Sequence, residues 1–169
     1  MREDEQLGVD LILYRPIGVV RTPFTSLKGM PKQPFDAPGV RGIVEIAPAY
    51  RAGLADLEGF SHLLLLVHLH RSGEAKLVVG PPGDSVRRGV FATRNNQRPN
   101  PIGLSLVRLV HVAVDGLEVE ELDLLDGTPL LDIKPYVPAF DARPAARIGW
   151  LSDRPELRQP PQADVAAAR

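Results

Sequence analysis

Residues 102–134 read IGLSLVRLVHVAVDGLEVEELDLLDGTPLLDIK, and this stretch decides the fold class. Ile102 to Val114 is a long run dominated by Leu and Val, Asp115-Gly116 is a hairpin signal, and Leu117 to Leu125 is the return run. Asp126-Gly127-Thr128-Pro129 turns the chain again before Leu130 to Lys134. Branched apolar residues suit a pleated, half-buried surface, and a type I′ turn needs positive φ at both central residues, which Asp-Gly tolerates. Three successive strands joined by tight turns are expected.

The flanking segments follow the same pattern. A charged lead-in over 1–10 precedes an expected strand from Leu11 to Arg21. Pro31, Pro34 and Pro38 keep the chain out of helix between Pro23 and Gly39, so an ordered loop is expected there. Val40 to Ile46 reads as a second strand, and Pro48 to Leu57 as a short proline-started helix stopped near Gly59. Phe60 to Leu69 reads as the most buried strand. Its run Leu63 to Val67 lacks alternation, which predicts cover on both faces and makes it a candidate homodimer face. Arg71 to Gly89 reads as a loop, Val90 to Thr93 as a short strand, and Ile148 to Leu151 as one brief element before a tail over 153–169 expected to be disordered. The predicted fold is mainly β: a single small β-barrel domain over 11–152 with one or two short helices.

Composition narrows the function. The chain has 169 residues, enough for one hydrophobic core, and 17 prolines and 15 glycines punctuate its apolar runs. Zero cysteines exclude disulfides, thiolate metal sites and cysteine nucleophiles. No secretory h-region or apolar run of membrane-spanning length stands out, so a soluble, cytoplasmic protein with no membrane partner is expected. A formal charge of -1 argues against bulk electrostatic capture of nucleic acid, so any RNA contact must be a local patch.

Three segments hold groups capable of chemistry. In Arg94-Asn95-Asn96-Gln97-Arg98-Pro99-Asn100-Pro101, two prolines stiffen the loop, so Arg94 and Arg98 either grip a carboxylate or phosphate or simply decorate a Pro-rich connection. In the stretch Leu131 to Tyr136, strand geometry puts Asp132, Lys134 and Tyr136 on one face, which suits a site or equally a solvent-facing strand. His68 and His70 share a strand face and could begin a metal site, with His62 about 20 Å away along the strand. Structural histidines are the simpler reading, and no metal is expected. No G-x-G-x-x-G, Walker A or G-x-S-x-G motif is present.

Longer motifs add a resemblance. Pro16-Ile17-Gly18-Val19-Val20-Arg21-Thr22-Pro23-Phe24, Pro31-Lys32-Gln33, Leu57-Glu58-Gly59-Phe60-Ser61-His62-Leu63, Gly89-Val90-Phe91-Ala92-Thr93-Arg94, Arg98-Pro99-Asn100-Pro101-Ile102-Gly103-Leu104-Ser105 and Asp126 to Tyr136 resemble the TsaA-like (TrmO-type) family, in order, from about Tyr14 to Asp141. The resemblance implies a homodimeric β-barrel methyltransferase that moves a methyl from S-adenosylmethionine to N6 of threonylcarbamoyl-adenosine beside the tRNA anticodon. It implies a cofactor pocket lined by Pro31, Lys32, Gln33, Leu69, His70, Arg94, Leu104, Leu131, Asp132, Ile133 and Lys134. The chain departs from the family pattern at Asn95-Asn96, where many relatives have Ser-Pro, and a C-terminal domain of longer bacterial members is not expected after the barrel. Asp132 is the first candidate for the proton acceptor or for an acidic partner that positions the cofactor, Tyr136 and His70 are weaker ones, and Arg87, Arg88, Arg98 and Asn100 are candidates for the anticodon loop. Two other readings stay open: a metal-dependent barrel hydrolase using His68 and His70, and a non-catalytic dimeric binding protein.

Overall fold

The computed structural model describes residues 11–31, 38–81 and 85–154. The expected lead-in at 1–10, part of the Pro23–Gly39 loop and nearly all of the 153–169 tail lie outside them. Six strands close a barrel: β1 (Gly18–Arg21), β2 (Arg41–Ile46), β7 (Gly116–Glu120), β6 (Ile102–Ala113), β3 (His62–His68) and β8 (Thr128–Pro135) follow one another around it, and β8 returns to β1. Every pairing is antiparallel. The mainly β barrel expected from the sequence is therefore the architecture observed. Among the described residues no helix is long and apolar enough to cross a membrane.

The core is the barrel interior. Val20, Val44, Leu65, Val107, Val119 and Leu130 are fully buried, one from each stave, and each such side chain contributes about 1.5–3 kcal/mol on leaving water. Alternation hidden in the sequence is plain here: Leu63, Leu65 and Val67 point in, while Leu64 and Leu66 are only half-buried. The run lacks alternation because the outward positions happen also to be leucine, and among the described residues no second layer fully covers them.

Several boundaries differ from expectation for identifiable reasons. Only Gly18–Arg21 of the predicted first strand is sheet, because pairing begins where Gly18 faces Ile46 on one side and Leu130 on the other. Leu11 to Tyr14 are largely exposed. Val90–Ala92 is a 3₁₀ turn rather than a strand: the Thr93 amide closes onto the Val90 carbonyl at 3.1 Å and the Thr93 hydroxyl adds a 2.9 Å bond to the same oxygen. The predicted Arg71–Gly89 loop contains a two-stranded pair, β4 (Val78–Val79) with β5 (Arg88–Gly89). The expected short helix is two 3₁₀ segments, Pro48–Leu54 and Leu57–Gly59, separated by Asp56 at φ 67°. A single α-helical turn, α1 (Pro138–Asp141), is additional, and Gly149–Asp153 forms the brief element expected near Ile148.

The β6–β7 hairpin forms, but its turn is displaced by one residue. Ala113 pairs with Gly116, so the two turn residues are Val114 and Asp115, and neither Asp115 nor Gly116 has positive φ. Gly116 is needed for another reason: a Cβ there would sit 2.1 Å from the Val44 carbonyl oxygen on β2. The return strand stops at Glu120, where Glu121 takes φ 65°, and Leu122 and Leu124 turn into the core instead of extending the ladder.

Candidate functional site

The β3–β8 pairing is regular from Leu63 to Leu66, then shifts: Leu66 faces Asp132 while Val67 faces Leu130. Leu131 is the extra residue, a bulge of the kind that re-aims side chains near sites. On the other side of β3, Leu66 faces Leu104 and Leu64 faces Leu106. The outer wall therefore carries the row Leu104, Leu66, Asp132, with Leu104 54% exposed. Asp132 accepts from the Ile133 amide at 2.9 Å and pairs with Lys134 Nζ at 2.8 Å, both side chains about half exposed. An apolar floor edged by charged groups results.

Beyond β3 the chain folds beside the segment before β6. The Leu69 amide donates to Pro101 and the Lys76 amide to Gln97, so Leu69, His70 and the Arg94–Pro101 loop lie against one another. Leu69 also packs over β6: a Cβ on Gly103 would come within 2.8 Å of it. The His70 imidazole is held below its ordinary pKa, first by burial and then by the charge of Arg71 and by His68, which favours the neutral ring.

The Arg94–Pro101 loop is stiff for a reason beyond its prolines. Arg98 Nη1 donates to the carbonyls of Thr93 at 2.8 Å, Asn95 at 3.2 Å and Val90 at 3.3 Å. Asn95 Oδ1 accepts from the Gln97 amide at 2.8 Å, and the Thr93 hydroxyl from the Asn95 amide at 3.2 Å. Arg98 thus braces the loop that carries exposed Arg94 and Asn100.

Leu69, His70, Leu104, Leu131, Asp132, Ile133 and Lys134 are brought to one region of the barrel wall. Ile133 is on the inward side, opposite Leu65. Pro31 is half-buried at the end of its described loop; Lys32 and Gln33 lie outside the described residues. Tyr136 is not brought to Asp132: it lies four residues on, about 13 Å along the strand, with its amide on the His62 carbonyl and its ring edge-on to His62 at 6.5 Å. Arg87 Nη2 donates to the Val78 carbonyl at 2.8 Å, and the Arg88 guanidinium lies 4.3 Å over the Trp150 ring. His68 is exposed at the end of β3, and among the described residues no three His, Cys, Asp or Glu side chains converge to hold a metal ion, so the hydrolase reading lacks a third ligand.

The sequence reading missed two polar constructions. Glu120, nearly buried, joins Arg41 at 2.8 Å and also Arg108, tying β2, β7 and β6 together. Ser105, fully buried, donates to Asp123 at 2.5 Å. Neither pairing leaves a signal in sequence, because the partners are far apart or on different staves. Trp150, which packs on Arg88 and donates to Ala92 at 2.8 Å, did carry one as the only tryptophan of the chain.

Comparison with known proteins gives a consistent picture. A family model described as the tRNA-methyltransferase O N-terminal domain matches residues 19–142. A probable S-adenosyl-L-methionine-binding protein of Pyrococcus abyssi is 50% identical over 141 residues, covering 83% of this chain and 77% of that one. The tRNA (adenine(37)-N6)-methyltransferase of Escherichia coli is 39% identical over 152 residues, covering 84% of this chain and 65% of the enzyme. The crystal structure of TrmO from Pseudomonas aeruginosa aligns with a TM-score of 0.71 at 41% identity, covering 83% of this chain and 63% of that one. The chain thus spans just under two thirds of the length of the bacterial enzymes it matches.

Proposed function

Because the chain belongs to the tRNA-methyltransferase O N-terminal domain family, we propose that it methylates tRNA with S-adenosylmethionine as donor, at N6 of the adenosine at position 37 beside the anticodon. The observation that carries this reading is the Leu104–Leu66–Asp132 row with Leu69, His70 and the Arg94 loop at its end. The residues suit the donor: Leu66 and Leu104 offer an apolar floor for an adenine ring, Arg94 a planar donor fork for the aminoacyl carboxylate, and Asp132 an acceptor for the ammonium or ribose hydroxyls. When bound, S-adenosylmethionine supplies an electrophilic methyl on a sulfonium sulfur.

The acceptor nitrogen explains the need for a positioned carboxylate. The N6 lone pair is delocalised into the purine, so alignment of the reacting atoms supplies much of the rate, about 7–11 kcal/mol when they are held near 3 Å. As N6 gains its methyl it must lose a proton, and Asp132 is the group we assign to take it. Tyr136 remains a weaker candidate. A threonylcarbamoyl substituent acidifies the N6 proton, which makes a simple carboxylate sufficient, and we infer that the modified adenosine is the substrate.

Arg87, Arg88, Arg98 and Asn100 are assigned to the anticodon-loop side of the site, with Arg98 acting chiefly through the loop it braces. The outward leucines of β3 favour a homodimer, since a partner would cover them. The deciding experiment is tritiated methyl transfer to tRNA from cells with and without the threonylcarbamoylation pathway. Incorporation only into the first is expected; equal incorporation rejects recognition of the side group, and none in either rejects the reaction.

A further inference from the structure

Phe91 leaves 75% of its surface in water, on a three-residue turn whose two flanking residues are both pinned. Val90 is buried, with its amide on the Leu77 carbonyl at 2.9 Å, and the Ala92 carbonyl accepts from the Trp150 indole at 2.8 Å. An exposed apolar ring is ordinary by itself. This one is presented rigidly and lies beneath positive charge: the Arg98 guanidinium is 5.8 Å from its centroid, and Arg88 covers the neighbouring Trp150. Residues 85–104 contain four arginines and no Asp or Glu, in a chain whose formal charge is -1. Positive charge is therefore concentrated where the ring is displayed.

We propose that Phe91 is a stacking platform for an unpaired RNA base, with the concentrated positive charge of the surrounding arginines drawing the RNA backbone to it. The inference rests on the tRNA-methyltransferase reading and deepens it by naming the residue that grips the substrate. Single-stranded nucleic acid is held by this combination, a charged track for the backbone and aromatic faces for the bases. The loop that fixes Phe91 also carries Arg94, so a base stacked on this ring would anchor the RNA next to the cofactor side of the site.

The test uses the full chain and a short RNA hairpin with 2-aminopurine in its loop, titrated at several salt concentrations. Phe91→Ala is expected to weaken binding roughly tenfold, within the range for loss of one stacked base, and to reduce the 2-aminopurine response. Phe91→Trp restores both, and Phe91→Leu does not. Because a stack displaces no counterions, the slope of log affinity against log salt stays that of the parent. Affinity for S-adenosylmethionine, light-scattering mass and thermal midpoint are unchanged. Binding of Phe91→Ala or Phe91→Leu within twofold of the parent overturns the proposal, as does a fall in mass that marks Phe91 as a contact between copies. If the parent binds neither this hairpin nor threonylcarbamoylated tRNA, the tRNA-methyltransferase reading fails together with this one.

Discussion

Asp132 stands directly across from Leu66 on the outer wall of the barrel, and it does so because Leu131 is bulged out of the ladder between them and the Leu130–Val67 pair. The acid is thereby set beside an apolar surface without being buried. We expect Asp132→Ala and Arg94→Ala each to weaken S-adenosylmethionine binding at least tenfold by calorimetry. Stability should change by less than about 1 kcal/mol, since the Asp132–Lys134 pair is half exposed and such pairs contribute little. Affinity within twofold of the parent in both variants removes these residues from the pocket.

Arg98 provides a second expectation. Its Nη1 serves three carbonyls of a half-buried loop, so Arg98→Ala should cost about 1–3 kcal/mol in denaturant unfolding. Arg98→Lys should not recover it, because all three bonds leave Nη1 and the lysine ammonium, on a flexible stem, ends a bond short of that position. A lysine variant with parental stability but altered RNA affinity would instead mark Arg98 as a phosphate contact.

Acid sensitivity should trace to Glu120. Burial pushes its carboxyl up, but the hydrogen bonds and charges of Arg108 and Arg41 outweigh this and leave it below the ordinary glutamate value. A group with a lower pKa folded than unfolded gives stability that is complete above the unfolded value and lost as pH falls through the folded one. Glu120→Gln should therefore lower the denaturation midpoint at neutral pH, with the gap from the parent closing below about pH 4. A gap independent of pH would show that packing, not charge, is what the substitution removes.

The close approach at Gly116 is directly testable. Gly116→Ala forces a Cβ against the Val44 carbonyl, a backbone atom that cannot step aside, and should cost about 1–3 kcal/mol or more. Gly53→Ala, where nothing lies within 4 Å, is the control and should be near neutral. Equal midpoints for the two would contradict the β2–β7 spacing.

Light scattering of the parent at micromolar concentration should give a dimer. Leu64→Glu, on the outward face of β3 and away from the Leu104–Leu66–Asp132 row, should shift it to monomer while the inward Leu65 keeps the barrel folded. A monomeric parent would leave the outward leucines to the cofactor alone.

The sequence carried the fold where alternation and turn residues agreed, as in β2, the β6–β7 hairpin and β8. It misled where one property imitates another. Leu11 to Tyr14 are apolar but pair with no strand among the described residues, and Val90-Phe91-Ala92 has strand-like residues in a turn closed by Thr93. Gly116 follows an aspartate as hairpin glycines do, yet it is required by a neighbouring stave. The candidate site was legible through the Asp132 and Arg94 motifs. The Leu131 bulge and the Arg98 brace were not, because both arise from pairings between segments distant in the chain or from backbone acceptors that every residue shares.

Closure of the barrel through β1 and β8 joins residues 18–20 to residues 128–130, and β3 gains its second neighbour only from that same last stave. During synthesis, a nascent chain that has not yet delivered β8 from the ribosome holds an open sheet with two unpaired edges, β1 and the apolar β3. Such an intermediate is slow to resolve and exposed to association with other chains. Chaperone dependence should therefore peak when β7 has emerged and β8 has not, and substitutions that weaken β8 should reduce soluble yield more than they reduce the stability of protein already folded.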